Sequence, residues 1–493
     1  MYGAYRVDTI RRAEAAAIAL LGADLLMQRA AAGLAAIVGR ELRARRGKTA
    51  GARVLLIVGS GNNGGDGLYA AVKLARRGVT ISAWRAGSSV HAAAWDAFRA
   101  AGGRELTAAE AVAELPRAAL LIDAVVGIGG RGGLRPDIGA LARAAAALGV
   151  PVVAVDLPSG VPPEPPWPAG FDGSTTDGKS AAFAATVTVT FGGHKLCHVI
   201  EPARSACGRV DLVDIGLRLP AADLWCWTPP DVAAAWPVPG PLSDKYSRGV
   251  VGIDAGSRGY PGAAVLATAG AVGAGAGMVR FTGDPQVAQR VIDRFPSVVP
   301  GVGQVQARVL GCGWGERPDA ARLVAEALDS GVPAVVDADA LRHLPTGALG
   351  PQVLLTPHAG ELSRLLSCDR AEVVADPVAA VTAASARHGA TVLLKGATQF
   401  VASLGASVQV AVPGPGWTAQ AGSGDVLAGI CGALMAAGVA APEAAGLAAS
   451  IQAMTARGAN SPLSPDRIAH LIPVRIGAIL RPSPLIRCRV TRA

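Results

Sequence analysis

Residues 53–67 read RVLLIVGSGNNGGDG, a short β-branched run (Val54-Leu55-Leu56-Ile57-Val58) that passes directly into Gly59-Ser60-Gly61-Asn62-Asn63-Gly64-Gly65-Asp66-Gly67. Glycine at this density lets backbone approach a ligand closely and present successive N–H groups to an anion. A helix-like segment follows, Leu68 to Arg77, whose N-terminal end would add positive potential. The spacing is neither that of a P-loop, which needs GK[ST], nor that of a G-x-G-x-x-G dinucleotide fingerprint. A strand, a glycine-rich turn and a helix in this order predict a parallel α/β sheet with an anion site at its edge.

Working outward, residues 9–46 have helical spacing, with Ile10, Ala13, Ala17, Leu20 and Leu21 on one face. Apolar runs recur at Val79–Ala83, Leu120–Ile122, Val152–Val155 and Thr186–Phe191, separated by Ala-rich helical stretches. Strands alternating with helices imply a parallel sheet covered on both faces. Residues 159–178 are rich in Pro and Gly and read as a long loop. Residues 225–245 (WCWTPPDVAAAWPVPGPLSDK) carry five prolines, which sustain neither helix nor central strand, and mark a domain junction. The alternation then restarts: Val250–Ile253, a helix from about Gly262 to Gly277, then strands at Arg308–Leu310, Ala334–Val336, Val353–Leu355 and Thr391–Leu394, and a helix over 424–438. The expectation is two unlike three-layer α/β domains, 1–225 and 226–493.

The composition limits the function classes. With 493 residues, 51% hydrophobic and 17% charged, the chain is globular and too long for a single ordinary core. Its net charge of +9 comes without aromatic interleaving or a nucleic-acid motif, so the expected partners are anionic small molecules and not nucleic acid. Seven cysteines with no CxxC pair point to reduced thiols and a cytoplasmic setting. The uncharged stretch Gly262–Val279 is mostly Ala and Gly and reads as a buried helix, so no membrane partner is expected.

GNNGGDG after a strand is highly specific, and with it stand LIDAVVGIG at 121–129, VDLPSG at 155–160 and TVTFGGHK at 188–195. Over about 1–220 the chain resembles the NAD(P)HX epimerase family, whose sheet is Rossmann-like. The resemblance implies that Asn62, Asn63, Gly64, Gly65 and Asp66 hold substrate phosphates, and that Asn63, Asp123 and Ser159 hold a potassium ion. It further implies that Gly127, Ile128, Gly129, Gly130, Arg131, Gly132, Gly133 and Asp156 contact the substrate. Oxygen ligands suit a hard cation, and acids that end parallel strands lie where α/β sheets bind ligands. Asp156 is the candidate acid or base for interconverting the R and S hydrates at C6 of the reduced nicotinamide ring. The stretch GGHKLCH departs from the common pattern, and neither Lys195 nor the loop 161–170 is given a role.

In the second half, AGSGDVLAG at 421–429 places Gly422, Ser423 and Gly424 before a helix, where free N–H groups can stabilise a transferring phosphoryl group. Asp425 follows at the helix start, where it can accept a proton from a substrate hydroxyl. With DKYSRG at 244–249, GSRGYPGAAVLA at 256–267, LGCGWG at 310–315, VDADAL at 336–341, LTPHAGE at 355–361 and LKGATQFV at 394–401, residues 240–480 resemble the ribokinase-like ADP- or ATP-dependent NAD(P)HX dehydratases. The family usually has GPG where this chain has Gly311-Cys312-Gly313. The resemblance implies that Ala263, Gly315 and His358 contact the hydrate, that Lys395, Gly396, Ala397, Thr398 and Gln399 line the adenine nucleotide, and that Gly424 touches its phosphate. Asp425 is then the catalytic base, with Mg2+ bridging the nucleotide phosphates, and NADHX and NADPHX are the substrates of an oligomeric enzyme. Two alternatives stay open: a vitamin-hydroxyl kinase, which shares the GSGD loop, and an N-terminal module that binds without turnover.

Overall fold

The computed structural model describes residues 1–130, 132–173, 182–459 and 461–481. The chain divides into two compact units, Gly3–Leu224 and Trp225–Ala493 with Met1–Tyr2.

The first unit is built on seven strands: β1 (Arg53–Val58), β2 (Thr80–Arg85), β3 (Arg104–Leu106), β4 (Leu120–Ala124), β5 (Val152–Val155), β6 (Val187–Phe191) and β7 (Arg209–Val213). They lie in the order β3-β2-β1-β4-β5-β6-β7, and every neighbouring pair is parallel. The alternation of a pleated strand explains the two cores. Val54, Leu56 and Val58 pack with Leu34, Val38 and Leu68 on one face, while Leu55 and Ile57 pack with Leu121, Ile138 and Leu141 on the other. Two faces covered by helices make the three layers that continuous apolar strands require.

The helical stretch expected over 9–46 is two helices, Val7–Leu21 and Ala23–Arg46, bent by 113°. Gly22 between them adopts φ 81°, which only glycine takes without strain. No single helix of the described residues is long and apolar enough to cross a membrane.

The second unit carries β8 (Val250–Asp254), β9 (Met278–Phe281), β10 (Val299–Pro300), β11 (Ala307–Leu310), β12 (Ala334–Val336), β13 (Val353–Leu355), β14 (Thr391–Leu394), β15 (Phe400–Ala402) and β16 (Val408–Val410). These run β10-β9-β8-β11-β12-β13-β14-β15-β16, parallel as far as β14 and then antiparallel. One face is covered by helices Pro261–Gly273, Ser423–Ala436 and Ala441–Ala459, whose alanines share a core with Val251, Ile253, Val309, Val335 and Leu354. The uncharged stretch at 262–279 is accordingly a buried helix followed by β9.

Candidate functional sites

At the first site the turn expected at 59–67 is shorter than the sequence suggests. The helix begins at Asn62 and runs to Ala75, so Gly64, Gly65 and Gly67 are its first two turns. None of these glycines has positive φ; they are present for closeness. A Cβ on Gly59 would stand 1.7 Å from the Val125 carbonyl oxygen, one on Gly64 2.4 Å from the Gly59 oxygen, and one on Gly67 2.6 Å from Ala124 Cβ. Glycine's low helix propensity costs about 1 kcal/mol at each position, and contact between helix and sheet overrides it.

Asp123 is the penultimate residue of β4 and is fully buried. Its carboxylate accepts from Ser159 Oγ at 2.6 Å, the Ser159 N–H at 2.7 Å and the Val125 N–H at 3.3 Å. Burial pushes its pKa up to about 6, against the pull of the Ser159 and Val125 donors, and every one of those donors is neutral. The Asn63 side-chain N–H group is buried with no partner among the described residues.

β5 leads into Asp156, held at φ 69°, a conformation that costs a non-glycine residue about 1 kcal/mol or more. Its Oδ1 accepts from Lys195 Nζ at 2.5 Å and from Thr190 Oγ1 at 3.1 Å. Lys195 is 1% exposed, and also donates to Thr190 Oγ1 and the Phe191 carbonyl. Burial, the largest single influence, would raise Asp156, but the Lys195 ammonium, helped by His198 and the Thr190 hydroxyl, holds the carboxylate below its usual range. Two other acids face the same charge. Burial, then Asp156 and Glu14, raise Asp66 well above its ordinary value; burial raises Glu14 as well, with Lys195 opposing and Asp156 adding. The cluster therefore sets one acid lowered by its lysine, Asp156, beside two that are raised, Asp66 and Glu14.

Gly127 faces this centre, since a Cβ there would be 3.0 Å from Asp156 Oδ2 and 3.1 Å from Asn63 Oδ1. The loop continues through a Gly130 N–H to Gly127 carbonyl bond at 2.9 Å, and the Gly133 N–H reaches the Gly160 carbonyl. Ile128 offers its carbonyl to Arg11 at 3.4 Å; Arg131 lies outside the described residues. Asn63, Gly127, Asp156 and the Asp123–Ser159 pair thus gather at the carboxyl ends of β1, β4 and β5, the usual ligand edge of such sheets.

Lys195, Thr190 and His198 were not legible as members of this site. His198 accepts from the Lys195 N–H at Nδ1 (3.0 Å) and lies 3.0 Å from the Asp156 carbonyl through Nε2, so it fixes the segment that carries the lysine. A lone Lys after an apolar strand was the available signal.

The second site is organised by Asp337, 1% exposed, directly after β12. Its oxygens are divided: Oδ1 accepts from Lys395 Nζ at 2.5 Å, and Oδ2 from Cys312 Sγ at 3.5 Å. Gly422, in the left-handed region at φ 92°, starts the helix Ser423–Ala436 and puts Asp425 in its first turn. A Cβ on Gly424 would lie 3.2 Å from Lys395 Nζ, so lysine, glycine loop and acid share one space. Burial, then the Asp337 charge, push Asp425 up to about 7, with Lys395 opposing. A base poised near neutrality is suited to taking a hydroxyl proton.

Gly315 is tied by its N–H to Asp339 at 2.8 Å, and Ala263 is buried behind Gly313, whose Cβ would stand 2.5 Å from Ala263 Cβ. Lys395 points into the Asp337 cluster, while Gly396 and Ala397 are exposed in the turn between β14 and β15, with Thr398 and Gln399 half-buried beside them. His358 caps the helix Ala359–Leu366, Nδ1 accepting the Gly360 and Glu361 N–H groups. Its side chain stays 56% exposed, and its backbone bridges Lys395. Asp337 was present in the VDADAL stretch but carried no assigned role, although an acid ending an apolar strand was the signal already used for Asp123.

Each unit is thus an α/β fold in which a glycine-rich helix start stands beside an acid–lysine pair, Asp156 with Lys195 in one and Asp337 with Lys395 in the other, the arrangement of an enzyme. A family model described as NAD(P)H-hydrate dehydratase matches residues 251–472, and one described as YjeF-related protein N-terminus matches residues 23–197. The chain is 45% identical over 453 residues to the bifunctional NAD(P)H-hydrate repair enzyme of Mycobacterium tuberculosis, covering 90% of each. It is 44% identical over 496 residues to that of Mycobacterium leprae, covering 96% of this chain and 99% of the relative. Among solved structures, the ADP/ATP-dependent NAD(P)H-hydrate dehydratase of Bacillus subtilis, co-crystallised with ATP and Mg2+, is 24% identical with a TM-score of 0.49, over 52% of this chain and 98% of that one. The chain belongs to the family of bifunctional NAD(P)H-hydrate repair enzymes.

Proposed function

We propose that residues 1–225 interconvert R- and S-NAD(P)HX and that residues 226–493 dehydrate the S form to NAD(P)H with ADP or ATP. The observation that carries this reading is the matched pair of prepared acids: Asp156, held ionised by Lys195, and Asp425, poised near 7 at a glycine-started helix.

In the first unit, the helix start at Asn62–Gly65 receives substrate phosphate through its free N–H groups. Asp66, in the same helix start, completes the phosphate-facing stretch and is also coupled to the acid cluster around Lys195. Asp156 takes or returns the proton as the C6 hydroxyl opens and recloses on either face of the ring. Potassium fits the first site: Asp123 is a buried carboxylate with only neutral donors, and Asn63 and Ser159 add oxygens. Bound there, potassium would neutralise Asp123 and brace the loop 127–133.

In the second unit, Asp425 accepts the proton of the C6 hydroxyl, and the freed oxygen attacks the terminal phosphoryl of ATP or ADP. A P–O bond forms, ADP or AMP leaves, and N–H groups of Gly422–Gly424 with Lys395 take up the developing charge. Phosphate then departs as the ring nitrogen pushes, and loss of the C5 proton restores the dihydropyridine. Mg2+ held on the nucleotide oxygens and water would neutralise their charge; no side chain is assigned to it. Ala263, Gly315 and His358 contact the hydrate, and Gly396–Gln399 line the nucleotide. The same reading takes the enzyme to be a cytoplasmic oligomer.

The test is a mixture of R- and S-NADHX with purified protein, magnesium, potassium and either nucleotide, followed at the NADH absorbance band. Recovery of both epimers with release of phosphate is expected. If phosphorylated product accumulates without NADH, the vitamin-kinase reading replaces this one.

A further inference from the structure

Where the family usually carries proline between two glycines, this chain places a thiol in the phosphoryl-transfer centre. Cys312 is fully buried. Its backbone is fixed by the Gly256 N–H to Cys312 carbonyl bond at 2.7 Å, and Gly311 and Gly313 on either side take φ 105° and 63°. Sγ faces Asp337 Oδ2 at 3.5 Å, and Asp425 interacts with the same thiol. The three donor atoms of Cys312, Asp337 and Asp425 lie within 4.8 Å of one another.

We propose that Cys312, Asp337 and Asp425 form a site for a thiophilic divalent cation, zinc above all, that shuts off the phosphoryl-transfer centre when occupied. One sulfur and two carboxylate oxygens are a zinc-type donor set, not a magnesium one. Tetrahedral ligands around zinc stand roughly 3.5 Å apart, so rotations of about an ångström bring the trio to bonding distance. Binding releases the thiol proton to solvent as the Zn–S bond forms. Zinc with the Lys395 ammonium sets three positive charges against the Cys312 thiolate, Asp337 and Asp425, with Glu361 a further 4.0 Å from the ammonium. Lys395 need not move, because it occupies Oδ1 and leaves Oδ2 to the metal. Inhibition follows because a coordinated Asp425 cannot accept the substrate proton. The inhibitory part of this proposal rests on the dehydratase reading above; the metal site does not.

The other close thiol group, Cys197, His198 and Cys207, lacks a free imidazole, since both nitrogens of His198 are engaged. It serves as the control. The test is to strip the full-length protein with chelator and titrate it with Co2+ or Cd2+ alone, reading the thiolate-to-metal charge-transfer band. Zinc inhibition of dehydration is then measured relative to each variant's own zinc-free rate. One band per chain is expected, abolished in Cys312→Ser and Cys312→Ala and retained in the Cys197→Ser/Cys207→Ser double variant, with zinc at least tenfold weaker as an inhibitor of Cys312→Ser. A wild-type protein without the band, or a band that survives in both Cys312 variants, overturns the site. A Cys312-dependent band in a protein without dehydratase activity would keep the site and sink the proposed function instead.

Discussion

Lys195→Met isolates the ion pair on which the first site depends. Asp156 and Lys195 are 7% and 1% exposed, and their contact is 2.5 Å. Removing one partner of a buried pair leaves an unpaired charge and costs roughly 3–5 kcal/mol. At about 1.36 kcal/mol per tenfold, amide exchange in β5 and β6, the strands that carry Asp156 and Thr190, should accelerate by roughly two to nearly four orders of magnitude. Hydrogen exchange read by mass spectrometry resolves this unit separately from the other. The sign with pH follows from Asp156, whose folded pKa lies below its unfolded value. The stability it contributes is present above the unfolded value of about 4 and is lost as pH falls through the lowered one. In the variant the unpaired carboxyl can relieve its penalty by taking a proton. The difference between variant and wild type should therefore be full at pH 7–8 and shrink in acid. Adding Asp156→Asn to Lys195→Met removes the orphaned charge and should recover part of the loss. Exchange within a factor of about ten of wild type at pH 7.5 would refute the view that this pair organises the site.

Other outcomes are accessible to simpler assays. Because Asp425 is raised to about 7, the ionised base grows from roughly a tenth to nine-tenths of the protein between pH 6 and 8. The kcat/KM for S-NADHX, measured in zinc-free magnesium buffer, should rise about tenfold over that span; a flat profile removes Asp425 as the base. Asp425→Asn should lower dehydration by about 10²–10⁴ while nucleotide binding, followed by calorimetry, persists. Gly67→Ala forces a methyl to 2.6 Å from Ala124 Cβ and should destabilise the first unit by about 1–3 kcal/mol, seen as faster exchange in β1 and β4. Replacing potassium by a bulky organic cation should slow the R-to-S step and leave dehydration of pure S-NADHX unchanged; equal loss in both would remove the assigned cation site.

Apolar β-branched runs in the sequence located most of the parallel strands, because a strand buried on both faces has no alternative composition. β3, β7, β9, the two-residue β10 and the β15–β16 hairpin were missed. Their residues include Arg280, Glu105, Asp211 and Gln409, and polar side chains at edges and ends break the run. The start of the helix at Asn62 was misplaced because local propensity argues against Asn-Asn-Gly-Gly in a helix, while the deciding contacts are with Val125 and Ala124, some sixty residues away. Separations of 39 and 58 residues likewise hid the Lys195–Asp156 and Lys395–Asp337 pairs. An acid at a strand end is visible in one dimension; the cation that sets its charge arrives from another element.

The glycines that seat the helix at Asn62 against the sheet also restrict how the first site can change. Gly59, Gly64 and Gly67 leave less room than one methyl group, so this wall accepts neither enlargement nor drift. If the site takes nicotinamide hydrates as proposed, a shift of preference between them would be worked from the loop beginning at Gly127, which faces Asp156 and Asn63. A library built there would explore specificity, whereas one built on Gly59, Gly64 and Gly67 would mostly sample destabilised protein.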